Sequence, residues 1–109
     1  MARPTIEEYR ERLRGMTNRE LVDKASGEIL SAAIMNGSRF DDGWSADCAD
    51  ACMDEAARRG NPDLYQRAFN DAVRSQGHDG MVRDVSTPID HGDPTLVASN
   101  EQQTQGEVS

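Results

Sequence analysis

No stretch of this sequence approaches the ~18 consecutive apolar residues of a membrane-spanning helix, so no span is expected. The opening Met1-Ala2-Arg3-Pro4-Thr5 has no apolar run of the kind a secretion signal carries. Cysteine is confined to Cys48 and Cys52, and without a secretion signal the default is reduced thiols in a cytoplasm. Basic residues are in short supply: 12 Lys and Arg stand against 20 Asp and Glu, a net charge of −8. A surface of that sign keeps away from nucleic acid and anionic membrane and attracts basic proteins.

The usual signatures of chemistry are missing too. The sequence has no Gly-rich phosphate loop and no His-Glu-x-x-His. Asp41-Asp42-Gly43 lacks the alternating oxygen ligands and closing Glu of a calcium loop. Cys48 and Cys52 are one helical turn apart, but the only imidazoles, His78 and His91, follow at no zinc-site spacing. A disulfide within one helical turn is poorly aimed, so two thiols beside the core are expected, with no metal and no cofactor. Ser and Thr fall mainly at helix starts and in the tail, where backbone hydrogen bonding explains them. No enzymatic activity is expected.

What the sequence has in abundance is helix punctuation. Thr5 can cap a first helix with Ile6, Tyr9 and Leu13 on one stripe and Gly15 as its stop. Thr17-x-x-Glu20 reads as a capping box, with Met16 and Leu21 as its hydrophobic staple. The second helix is predicted over 18–36, burying Leu21, Val22, Ala25, Ile29, Ala33 and Met35, with Gly37 beyond it. Its Gly27 marks a kink or a close helix crossing. Ser45 is the expected cap of a third helix with Cys48, Ala49, Cys52, Met53 and Ala56 inside. Gly60 stops it. Asn61 caps a fourth helix carrying Leu64, Tyr65, Ala68, Phe69, Ala72 and Val73, and Gly77 closes that one.

After Gly77 the apolar periodicity fails. Residues 1–77 have a net charge of −3, and residues 78–109 have −5 with Arg83 as their only basic side chain. The expected organisation is a helical domain over 1–77 and a mostly disordered acidic tail over 78–109. The expected fold is all-α, a small antiparallel bundle of about four helices with a flexible acidic C-terminal tail. Its core holds many Ala side chains, so burial against a partner or a second copy would help it.

The most distinctive surface is acidic. Asp41, Asp42, Asp47, Asp50, Asp54 and Glu55 fall within 15 residues, with no Lys or Arg between Phe40 and Ala57. Asp47, Asp50 and Asp54 stack along one helix face over about 10 Å, the scale of a short run of phosphates. These six are the candidate partner-binding residues. Small acidic helical proteins of phages and mobile elements that block nucleic-acid machinery share this general type of size and charge. The leading expectation is therefore a non-enzymatic acidic binding protein that occupies a basic surface of a nucleic-acid-handling protein. Direct nucleic-acid or membrane binding is not expected. The alternative is a homo-oligomeric assembly module, such as a homodimer. A third reading takes Gly60 as the turn of a helix-turn-helix, with Gln66, Arg67, Asn70 and Arg74 facing a groove. Pro62 and Asp63 at the start of that helix, and the net acidity, speak against it.

Overall fold

In a computed structural model the chain forms an all-helical bundle, described for residues 3–35 and 42–95. The helices are α1 (Ile6–Arg14), α2 (Asn18–Met35), α3 (Trp44–Arg58) and α4 (Asp63–Ser75), followed by a short 3-10 turn at Asp79–Met81. The described residues contain no strand.

The predicted caps of α1 and α2 form. The Thr5 hydroxyl accepts from the Glu8 amide while the Glu8 carboxylate accepts from the Thr5 amide. Thr17 and Glu20 repeat the exchange at 2.9 and 3.1 Å. The start of α3 differs from expectation. Asp42 Oδ1 accepts from the Trp44 amide, and the Ser45 hydroxyl turns instead to Ser31 on α2 at 2.9 Å. Gly60 and Gly77 end their helices at positive φ, 74° and 78°, as stops should.

α2 packs against both α3 and α4, and α1 lies on α3. Leu13, Leu21, Leu64, Cys48 and Cys52 are fully enclosed, and Tyr9 meets the edge of Trp44. Burial along α2 stops early. Leu21, Val22 and Ala25 are buried, Ile29 and Met35 are half-buried, and Ala33 is exposed. On α3 the expected inward Met53 is exposed, and Ala51 and Glu55 take the inner positions. Tyr65 and Phe69 on α4 are only half-buried.

Gly27 marks no close helix crossing: a Cβ there would meet nothing within 4 Å. Gly27→Ala should therefore stabilise the fold by about 0.5–1 kcal/mol, through helix propensity alone. Thermal unfolding checks this, and a lower Tm would show a tight crossing after all.

The main departure lies beyond Gly77. The boundary expected there does not hold as far as Thr95, because residues 82–95 run back along the bundle as a strap. Asn70 grips its start through both amide atoms, donating to Arg83 O at 2.7 Å and accepting from Arg83 N at 3.0 Å. Asp63 Oδ2 accepts from the amides of Ser86 and Thr87. Asn61, expected to cap α4, donates instead to Pro88 O and His91 O. Asn18 donates to Ile89 O and His91 O, and its own amide donates to Asp93 Oδ2 at 2.7 Å. A carboxylate 75 residues away thus closes the N-terminus of α2, where the helix dipole favours it. Gly92 completes the approach at φ 76°. Any Cβ there would collide with the carbonyl oxygen of Arg59. Residues 96–109, the remainder of the expected tail, lie outside the described residues.

Candidate functional site

Of the acidic strip, Asp42, Asp47, Asp50 and Asp54 are exposed and Glu55 is buried. Asp41 lies outside the described residues. Asp42 is exposed but held by Arg3 at 2.7 Å, with Arg3 also over the Trp44 ring. Its carboxyl sits below the ordinary range, through the Arg3 hydrogen bond first and then the Trp44 amide. Asp54 is paired with Arg10 of α1 at 3.0 Å. Asp47 and Asp50 remain exposed, with no ion pair among the described residues.

Glu55 leaves the strip altogether. It is 5% exposed and faces inward, between Arg58 and Arg59. Burial pushes its carboxyl up, but hydrogen bonds from the two guanidinium groups outweigh that and hold it below its ordinary value. The reason is angular. At 100° per residue, Asp47, Asp50 and Asp54 share an arc of about 60°, and Glu55 lies roughly 80° beyond Asp47 toward the core.

Arg59 is the centre of a buried polar junction. Its Nε donates to Glu55, Nη1 to Asn18 Oδ1 and Nη2 to Leu13 O, each at 2.7 Å. One side chain therefore joins the end of α1, the start of α2 and the end of α3, and through Asn18 the strap. The full set of donors suits a planar guanidinium and no other side chain. This junction was not foreseen in the sequence. The spacing of Glu55 to Arg58 and Arg59, three and four residues, was the available signal.

Cys48 and Cys52 are both buried as free thiols, with Tyr9 Oη 3.7 Å from Cys52 Sγ. Burial pushes the Cys48 thiol up to about 12 and Cys52 to about 11. The thiolate is the reactive form, so both should resist alkylation at neutral pH. Iodoacetamide should label neither in the native protein and both in urea, as read by mass spectrometry; rapid native labelling would show an open core. Among the described residues no group of three or more His, Cys, Asp or Glu is placed to hold a metal ion.

The second surface is apolar. From Ile29 to Met35 no residue of α2 is buried, although none is charged, and Ile34 is 73% exposed. Beside it a groove of about 310 Å³ opens between α2 and α4, walled by Ile29, Leu30 and Ala33 on one side and Phe69, Ala72 and Val73 on the other. Met81, 52% exposed, and His78 close its end. No Asp, Glu, Lys or Arg lines this groove. In sequence Ile29–Met35 is apolar almost all round, which predicts a central helix; α2 does pack on both α3 and α4, but they leave this segment unburied. The same pattern also fits an unfinished interface.

The would-be recognition face of α4 is engaged internally. Asn70 is committed to Arg83, Gln66 donates to Asn70, and Arg67 Nη2 donates to Thr87 O. Among the described residues no helix is long and apolar enough to cross a membrane. Comparison with known proteins finds no matching family model, curated protein or solved structure, so the functional argument rests on these surfaces.

Proposed function

We propose that this chain is a non-enzymatic interaction module that assembles with a second copy of itself through the apolar face of α2 and α4. The observation that carries the reading is the uncharged stretch Ile29–Met35, none of it buried, beside an uncharged groove. Contiguous apolar surface of that kind marks an interaction site in a folded protein. The occupant follows from charge. A chain of net charge −8 repels its own copies over most of its surface, and least across a face that carries no charge. Two-fold pairing sets the same patch against itself, so the Ile34 ridge of one copy can fill the groove beside the other's α2. The small, Ala-rich core gives such pairing a stabilising role as well. Buried free thiols suit a reducing compartment such as the cytoplasm.

A second reading keeps the acidic helix as the contact with a basic, nucleic-acid-handling protein, in the manner of a phosphate mimic. It is favoured by Asp47 and Asp50, which stay exposed without an arginine partner among the described residues. Asp42 and Asp54, each held by an arginine, weaken it. The helix-turn-helix reading draws no support from a fourth helix whose polar face already holds the strap.

Sedimentation equilibrium over a range of protein concentrations tests the first reading. A monomer–dimer equilibrium is expected that persists or tightens at about 1 M NaCl, because apolar burial is not screened. A monomer at every concentration would sink the assembly reading.

A further inference from the structure

The strap does not lie flat on α4. Between them opens a cleft of about 360 Å³. Basic side chains are outnumbered 12 to 20 in this protein, yet three of them, Arg67, Arg74 and Arg83, line this one cleft. Two carboxylates, Asp71 and Asp84, line it as well, and they do not neutralise the three. Arg74 meets Asp71 only at 3.7 Å, and Arg83 has no ion pair among the described residues.

Arg67 is the most constrained of the three. Its Nη2 is pinned to Thr87 O at 2.9 Å, which fixes the guanidinium plane, while its Nε is buried with no acceptor. A buried N–H without a partner is rare in a folded protein. The neighbouring Asp63 carboxylate accepts from the Ser86 and Thr87 amides on Oδ2 and acts on Arg67 through charge rather than a hydrogen bond. Three guanidinium groups against two lining carboxylates, with Arg83 in no ion pair among the described residues, describe a site for an anion. Guanidinium forks match the paired oxygens of phosphate and carboxylate. The floor, by contrast, is apolar, formed by Val22, Val85 and Ile89. A bare inorganic ion would leave that floor uncovered. The volume is at the low end for ligand pockets, so the ligand is small.

We propose that the cleft between α4 and the strap binds a small organic anion, with Arg67, Arg74 and Arg83 holding its phosphate or carboxylate group and the floor receiving a compact apolar body. The ligand bridges α4 and the strap, so binding also tightens the strap onto the bundle.

The test is an NMR titration of the full chain at constant ionic strength with phenyl phosphate, benzoate and phenol as probes. Phenyl phosphate or benzoate should bind saturably, shifting the Arg67 Nε–H and the amides of residues 82–85. The tighter of the two identifies the anionic group. Phenol should not bind. Arg83→Gln removes one guanidinium while leaving the backbone atoms that Asn70 grips, so the fold is retained, and affinity should fall about tenfold. Arg19→Gln, on the exposed surface of α2, should change nothing. Unsaturable shifts scattered over the protein's arginines would overturn the proposal. So would equal affinity in Arg83→Gln, or phenol binding as tightly as the anions.

Discussion

Arg59→Met is expected to destabilise the protein by about 3–5 kcal/mol, enough to unfold most of so small a domain. The Arg59 side chain is 1% exposed, and its removal takes the donor from buried Asn18 Oδ1 and leaves Glu55 to Arg58 alone and Leu13 O to the Met16 amide. Methionine replaces most of the volume, so the loss is electrostatic and not a cavity. Arg58 also bonds Glu55, but its side chain is 53% exposed, and Arg58→Met should cost about 1 kcal/mol or less. The double change Arg59→Met with Glu55→Gln should recover part of the loss, because it removes a buried charge that has lost one of its two partners.

Acid provides a second check on the same junction. The Glu55 carboxyl is held below its ordinary value of 4.5, so its contribution to stability is complete above that pH and is lost as pH falls through the lower folded value. Urea midpoints at neutral pH and below pH 4.5 should show this loss in the wild type and much less of it in Glu55→Gln. A neutral-pH midpoint for Arg59→Met within about 0.5 kcal/mol of wild type would show that the junction is not a keystone.

The parts of this fold legible in sequence are the parts specified locally. Thr5 with Glu8 and Thr17 with Glu20 lie within one turn, and each box closes as its spacing requires. The glycine stops are equally local. The strap is not. Asn18, Asn61 and Asn70 reach backbone atoms 13 to 73 residues away, and an isolated asparagine has no period to betray it. Asn61 had a sufficient local explanation as a cap, and that explanation hid its actual partners. The strap's own apolar side chains, Val82, Val85 and Ile89, are too sparse for a helical stripe, yet each is half-buried. An extended segment held by side-chain amides needs few apolar anchors, and low apolar density alone therefore misread it as free chain. Glu55 departs from the acidic strip for a different reason. Counting carboxylates along the chain ignored the angle at which each leaves the helix, and Glu55 with its two arginines was the cost.

Ile34→Glu is expected to weaken self-association by about 100-fold or more while leaving the monomer folded. Ile34 is 73% exposed, so its replacement disturbs no packing within one copy. In the two-fold pair the new carboxylate would meet an uncharged groove, and so would its symmetry mate. An unpaired charge buried in an apolar contact costs about 3 kcal/mol or more, which is the stated loss in affinity. Asp47→Asn with Asp50→Asn serves as the counterpart on α3, because both side chains are exposed and the change leaves the apolar face intact. The first variant should sediment as a monomer, and the second should pair as well as wild type or slightly better, since two negative charges per copy are gone. If Ile34→Glu still pairs, the α2 face is not the contact. If only the Asp47 and Asp50 double variant loses binding to a basic partner, and no self-association occurs in any form, the acidic helix is the working surface and the mimicry reading replaces assembly.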